Sequence, residues 1–133
     1  MINSAEEFIK LRTSELKEEQ DRATHDSAEL ETWNDIINRY PDYKEWVVHN
    51  KTIQIEILEN LTLDSDPKVR SAVARRRKIN DKIFKLLSVD KDENVRHALI
   101  SNTNMSAENL RQIDITDSKW LETALLEKLN SIK

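Results

Sequence analysis

A spacing of 26 residues organises the apolar positions in the middle of the chain. Shifting the sequence by this spacing aligns residues 41–66 with 67–92 and 93–118, and it superposes the two prolines, Pro41 and Pro67. The apolar residues then fall into four shared columns: Val47, Val73 and Leu99; Ile53, Ile79 and Met105; Leu58, Phe84 and Leu110; and Leu61, Leu87 and Ile113. A fixed period of this length is typical of chains built from repeated structural units. We therefore predict three consecutive repeats.

Each repeat is predicted to form two helices. In the second repeat, Val69, Ala72 and Val73 follow the i, i+3, i+4 spacing of an amphipathic helix. Residues that can cap a first helical turn stand before the helices of the second and third repeats. These predicted N-cap residues are Asp66, Asn80, Asp92 and Ser106. Because a single helix pair cannot bury its own apolar face, neighbouring repeats are expected to stack on one another.

The sequence on either side of the repeats also predicts helices. Residues 4–7, SAEE, form a capping box that begins the first helix, and residues 15–25 and 27–39 are expected to be helical. The tryptophans Trp33 and Trp46 are expected to fill the core. The expected single domain, 1–133, consists of N-terminal capping helices over 1–40, repeats over 41–66, 67–92 and 93–118, and a C-terminal capping helix over 119–133.

The composition favours an all-α protein. The 133 residues include no glycine, the residue that most readily adopts the positive φ angles of hairpin turns and phosphate-binding loops. The chain has no cysteine either, which excludes disulfides and thiolate metal ligands. The first residues lack the basic start and the apolar run of a signal peptide. We therefore expect a soluble, cytoplasmic protein that does not enter a membrane.

Candidate catalytic chemistry is sparse. The three histidines, His25, His49 and His97, stand at different positions of the repeat pattern, and none has a second histidine three or four residues away. A metal site needs several convergent ligands, and no such spacing is present. The sequence contains no motif that identifies two carboxylates as a general acid and a general base. It also contains no motif that places a catalytic base beside a serine nucleophile. We expect a protein that is not an enzyme and that binds no cofactor or metal.

Two segments carry a family resemblance: DPKVRSAVA, residues 66–74, and DENVRHALI, residues 92–100, each followed by a turn and a second apolar helix. They resemble the variant leucine-rich repeat, a family of helical solenoids similar to HEAT and armadillo repeats. The resemblance covers residues 41–118 and is weaker in the first repeat, where Lys44 replaces the arginine of the Val-Arg dipeptide. It implies an all-α, right-handed superhelical α-α solenoid of about eight to ten helices, with a role in molecular interaction.

Four consecutive cations stand at the predicted end of the first helix of the second repeat and in the turn after it: Arg75, Arg76, Arg77 and Lys78. At the position of Arg76, the neighbouring repeats carry Asn50 and Asn102. Asparagine is the usual substitute for glycine where a helix ends in left-handed geometry, so we expect both asparagines to adopt it. Arg76 replaces the better turn residue without a visible structural gain, which indicates a functional role.

The second repeat is basic and lies between acidic neighbours. Residues 67–92 hold nine basic and three acidic residues, a net charge of +6, whereas residues 41–66 and 93–118 carry −4 and −2. The whole chain carries −4. The candidate binding residues for a partner or for phosphate are Arg75, Arg76, Arg77, Lys78, Lys51 and Arg70.

Structural roles for these cations stay open as alternatives. Cations near a helix C-terminus interact favourably with the helix dipole. Lys82 and Lys85 share their phase with acidic residues of the neighbouring repeats and are expected to pair with them. Two further arginines are expected to pair with carboxylates of the preceding repeat. Arg70 is expected to contact Asp64, and Arg96 is expected to contact Asp90.

Two functional hypotheses follow. In the first, the chain is a non-catalytic protein–protein interaction module, an adaptor or an immunity-type inhibitor, that holds an acidic partner on its basic centre. In the second, residues 75–78 bind a nucleic-acid backbone, although a pI of 5.4 and the lack of a continuous basic stripe argue against it. The expected oligomeric state is a monomer or a weak homo-oligomer.

Overall fold

The computed structural model describes residues 1–132, and these form ten α-helices and one short 3₁₀ helix. The α-helices are α1 (Ala5–Thr13), α2 (Lys17–His25), α3 (Leu30–Arg39), α4 (Lys44–His49), α5 (Ile55–Thr62), α6 (Pro67–Ala74), α7 (Asp81–Ser88), α8 (Glu93–Ser101), α9 (Ala107–Leu110) and α10 (Lys119–Ser131). The 3₁₀ helix, Pro41–Tyr43, precedes α4. Residues 1–132 contain no β-strand, and their one isolated bridge joins Ile2 to Ala28. The all-α prediction is confirmed.

The chain divides into two compact units, Met1–Leu61 and Thr62–Lys133. In the first unit, α1 packs against α2 and α3, and the rings of Phe8 and Trp33 meet edge to face with their centroids 5.5 Å apart. Both rings are fully buried, so the prediction that Trp33 fills the core is confirmed. The same prediction for Trp46 is wrong. Its side chain is 42% exposed because its ring stacks under the guanidinium of Arg12 instead of entering the core.

The capping box at the start of α1 forms in part. The hydroxyl of Ser4 accepts a hydrogen bond from the backbone N–H of Glu7, as predicted. The carboxylate of Glu7 accepts from the N–H of Asn3 rather than from that of Ser4. Both bonds satisfy N–H groups near a helix start that have no partner within the helix.

In the second unit, the helices begin where the sequence predicts. The four predicted N-cap residues each accept a hydrogen bond from a backbone N–H of the first helical turn: Asp66 from Lys68, Asn80 from Ile83, Asp92 from Asn94, and Ser106 from Asn109. The predicted apolar columns are buried as well, and Val73, Leu99 and Leu110 are fully inaccessible to solvent. Ile79 departs from its column because it is half-buried. The prediction that the repeats stack as a solenoid stays a prediction.

Two sets of turns lie at opposite ends of α6. Residues 75–80 and 102–106 join the first helix of a repeat to its second, and we call them the amide edge. Residues 63–66, 89–92 and 111–118 join one repeat to the next, and we call them the ion-pair edge. Because α6 spans about 12 Å at 1.5 Å per residue, the two edges are well separated in the second unit.

Candidate binding site

A buried asparagine fixes the amide edge. The side-chain amide of Asn102 donates to the carbonyls of Ala74 and Arg76, at 2.8 and 2.7 Å, and its oxygen accepts from the N–H of Asn104 at 2.9 Å. These carbonyls belong to the last turn of α6 and the residues after it, where backbone acceptors lack partners within the helix. Asn102 therefore ties the third repeat to the end of the second.

Asn50 has the same role within the first unit. Its side-chain amide donates to the carbonyls of Ala23 and Asp26, at 2.9 and 3.0 Å, and its oxygen accepts from the N–H of Thr52. The side chain is fully buried. The residue at this position of the repeat is thus a clamp between successive helical segments, and we refer to Asn50 and Asn102 as the clamp asparagines.

The prediction of left-handed geometry at the clamp asparagines is wrong. Asn50 has φ −66° and ψ 129°, and Asn102 has φ −65° and ψ 118°, both in the extended region. No residue within 1–132 has a positive φ. The helices end by passing into extended backbone, and the asparagine side chain, rather than a left-handed residue, supplies the hydrogen bonds at the turn.

Arg76 occupies the clamp position of the second repeat and differs from the cations beside it. Its side chain is half-buried, and burial lowers the pKa of its guanidinium from the ordinary value. An arginine still keeps its proton in proteins, so this burial places a positive charge in a partly desolvated position.

Arg75, Arg77 and Lys78 are exposed, and we call these three residues the basic turn. Within residues 1–132, no carboxylate lies within ion-pair distance of any of them. Their backbone is held in place, since the N–H of Arg75 bonds to α6 and the carbonyl of Arg77 accepts from the side chain of Asn104. The basic turn therefore presents three uncompensated charges on an anchored backbone.

The remaining two candidates lie elsewhere. Arg70 is on the ion-pair edge, where its guanidinium makes a bidentate contact with the carboxylate of Asp90, at 2.8 and 3.1 Å, and donates to the carbonyl of Asp64. The Asp90 carboxylate raises the pKa of Arg70, and both side chains are less than 10% exposed. Lys51 is an exposed residue of the first unit. The structure thus brings together the cations of residues 75–78 and separates Arg70 from them.

The expected partners of the two repeat arginines need correction. Arg70 donates a hydrogen bond to the backbone carbonyl of Asp64, not to its carboxylate. The carboxylate that pairs with Arg70 is that of Asp90, in the same repeat. Arg96 does not pair with Asp90, which is held by Arg70; like Arg70, it pairs with an aspartate that follows it in the chain. It contacts the carboxylate of Asp117 at 2.7 and 3.1 Å and donates to the carbonyl of Asp114. For Lys85, the carboxylate in contact is Asp81 of the same helix, at 3.0 Å.

A groove of about 210 Å³ opens beside the basic turn, between the two turns of the amide edge. Its lining combines two cations, one carboxylate, three apolar side chains and four asparagines: Arg77, Lys78, Asp81, Ile79, Phe84, Met105, Asn80, Asn102, Asn104 and Asn109. Sequence reasoning missed this groove. The available signal was the column that holds Ile79 and Met105, which places two apolar residues next to the cationic turn.

Comparison of the chain with protein-family models, with curated proteins and with solved structures finds no match in any of the three. Within residues 1–132, no cluster of histidine, cysteine and acidic side chains is arranged to hold a metal ion. None of the helices described there has the length and the apolar character needed to cross a membrane.

Proposed function

We propose that the chain is a non-catalytic protein-binding module that holds an acidic partner on the basic turn. One observation carries the proposal: Arg75, Arg77 and Lys78 are exposed with no carboxylate within ion-pair distance in residues 1–132, whereas Arg70 and Arg96 of the same unit are each held by an aspartate. A local concentration of one sign of charge attracts a partner of the opposite sign and favours its correct orientation.

The charge of the whole chain supports a local role for the basic turn. The chain carries −4, so the three exposed cations of the basic turn are an exception to the prevailing sign. Arginine is also enriched among the residues that contribute most to protein–protein binding. An acidic partner would be attracted by this turn and by the other cations of residues 67–92, and repelled by the acidic segments 41–66 and 93–118 that flank them in the sequence.

A repeat architecture of the variant leucine-rich or HEAT-like kind is part of the same proposal. It is supported by features that recur at the repeat spacing: clamp asparagines at 50 and 102, and aspartate N-caps at 66 and 92. Such repeats typically expose extended surfaces for binding. Within that class, an adaptor and an immunity-type inhibitor are the two roles we consider, in a cytoplasmic protein that is a monomer or a weak homo-oligomer.

Binding of a nucleic-acid backbone is the alternative, and the geometry favours it less. A duplex is bound through phosphate contacts spread along a groove, and here the exposed cations belong to a single turn. Arg70, which would have extended the site, is occupied by Asp90. Nucleic acid is therefore included as an arm of the test below.

The test measures binding of a fluorescent peptide of alternating glutamate and serine by anisotropy, at low and physiological salt. The variant carries Arg75→Glu, Arg77→Glu and Lys78→Glu. A matched control, Lys68→Glu with Lys91→Glu and Lys119→Glu, makes the same change in net charge at exposed lysines of the same unit. Those lysines lie near the starts of α6, α8 and α10, away from the amide edge.

We expect the basic-turn variant to bind the peptide about thirtyfold more weakly, which corresponds to about 2 kcal/mol, and the control to lose no more than about threefold. Equal losses in the two variants would show that only net charge matters, and they would refute the proposal. Duplex and single-stranded DNA are measured in parallel. Tighter binding of DNA than of peptide, lost in the basic-turn variant, would replace the proposal by the nucleic-acid alternative.

A further inference from the structure

We infer that the groove beside the basic turn receives one apolar side chain from an extended acidic segment of the partner. This inference rests on the proposed function and adds the chemistry of the partner: a flexible peptide segment in which carboxylates flank an apolar residue, rather than the surface of a folded acidic protein.

The apolar floor of the groove is the first observation. Phe84 is 3% and Met105 9% exposed, and their side chains line the groove together with Ile79. In the column that Ile79 shares with Ile53 and Met105, the other two members are buried, whereas Ile79 is only half-buried. The side chain of Ile79 thus leaves apolar surface open to solvent inside the groove.

The cations at the rim are the second observation. Arg77 and Lys78 line the same groove as Phe84 and Met105, so charge and apolar surface are adjacent. Asp81 also lines the groove, and its carboxylate is paired with Lys85 at 3.0 Å. Neither Arg77 nor Lys78 has a carboxylate partner within residues 1–132. A carboxylate that reaches this rim would bring the neighbouring residue of its own chain over the apolar floor. This combination suits a peptide better than duplex DNA, which presents its phosphates and keeps its bases stacked inside.

The size and polarity of the groove fit an extended peptide. A volume of about 210 Å³ exceeds the roughly 150 Å³ in which a benzene molecule is held, so a side chain of leucine size fits. The side-chain amide of Asn109 also lines the groove, and an amide can both donate to and accept from a passing peptide group.

The test compares two peptides with the wild-type protein and two variants. One peptide alternates glutamate and serine, and the other is identical except for a single central leucine. We expect the leucine peptide to bind about tenfold more tightly, the factor that corresponds to 1.4 kcal/mol. Ile79→Ser should remove this advantage and leave binding of the serine peptide unchanged. Leu63→Ser, at a side chain that is 70% exposed and lies outside the groove, is the matched control and should preserve the advantage.

A second measurement needs no variant. The chain contains two methionines, Met1 and Met105, so selective labelling of methionine methyl groups gives two signals in an NMR spectrum. Met105 lines the groove, and Met1 is 58% exposed at the N-terminus. We expect the leucine peptide to shift the Met105 signal and to leave that of Met1 in place, and we expect the serine peptide to shift Met105 much less.

The outcomes separate the inference from the proposed function. If both peptides bind equally, the Met105 signal does not respond to the leucine, and the basic-turn variant still loses binding, then the groove inference is wrong and the proposed function stands. If neither peptide binds to the wild-type protein even at low salt, the proposed function fails and the inference fails with it.

Discussion

Arg70 and Arg75 lie five residues apart in the same repeat, yet they occupy two different electrostatic environments. Arg70 is buried on the ion-pair edge, where Asp90 and the carbonyl of Asp64 use three of its N–H groups. Arg75, at the other end of α6, is exposed and has no carboxylate within ion-pair distance in residues 1–132. A cation in such a sequence is therefore a candidate for binding a ligand only if no carboxylate of the same protein pairs with it.

The difference has a physical reason. A charge taken out of water needs a partner of excellent geometry, and the planar guanidinium of Arg70 meets the carboxylate of Asp90 in two parallel hydrogen bonds. The basic turn needs no partner for folding because its side chains remain hydrated. The amide edge is held together by Asn102 instead, which leaves the charges of that edge available.

The largest expected effect comes from breaking the buried pair. We predict that Arg70→Ala lowers the free energy of unfolding by about 3 kcal/mol, because it leaves the carboxylate of Asp90, which is 7% exposed, without its cation. Arg75→Ala, the same substitution at the other end of α6, should change it by less than about 0.5 kcal/mol. Urea unfolding followed by circular dichroism measures both. Similar values for the two variants would show that the two arginines do not differ in structural role.

The next effect concerns the clamp. We predict that Asn102→Ala costs about 1–3 kcal/mol, since the carbonyls of Ala74 and Arg76 lose a buried donor. Asn50→Ala should cost a similar amount in the first unit, because Asn50 makes the equivalent bonds there. Asn109→Ala serves as control, as its side chain lies at the groove and makes none of these bonds. The clamp interpretation fails if Asn102→Ala is as mild as the control.

The all-helical class, the helix starts and the buried columns could be predicted because their determinants are local. The N-cap residues Asp66 and Asn80 act within their own first turns, and the buried columns follow from a period visible in the letters of the sequence. The cluster of residues 75–78 was visible for the same reason. Local patterns of this kind need no knowledge of which segments meet in space.

The roles of Asn102 and Arg96 could not be predicted, because they depend on contacts between distant segments. Asn102 was expected to act through its backbone, and it acts through its side chain on carbonyls 26 and 28 residues earlier. Arg96 pairs with Asp117, 21 residues later, as Arg70 pairs with Asp90, 20 residues later, so both arginines reach forward along the chain and not back to the preceding repeat. The groove was missed because its lining comes from two turns that only the folded chain brings together.

The smallest expected effect tests the ion-pair edge through pH. Arg96 holds the pKa of Asp117 below its ordinary value of 3.8, mainly through their hydrogen bonds. The folded state therefore binds fewer protons than the unfolded state below that pH, so the stability from this pair is present above about pH 3.8 and is lost as the pH falls toward the lowered pKa.

Asp117→Asn should reduce stability at neutral pH slightly and make its decline below pH 3.8 shallower. The effect is small for two reasons. The side chain of Asp117 is 63% exposed to solvent, which screens the pair. The guanidinium of Arg96, which is 3% exposed, keeps the carbonyl of Asp114 and gains the amide oxygen of the substituted side chain as acceptors. Thermal unfolding between about pH 2.5 and 7 measures it, a range that brackets the titration of an aspartate. Asp42→Asn, at an exposed aspartate for which residues 1–132 provide no ion pair, is the control. Identical pH profiles for the two variants would mean that Arg96 does not depend on Asp117, and the ion-pair edge would then be held by Arg70 and Asp90 without it.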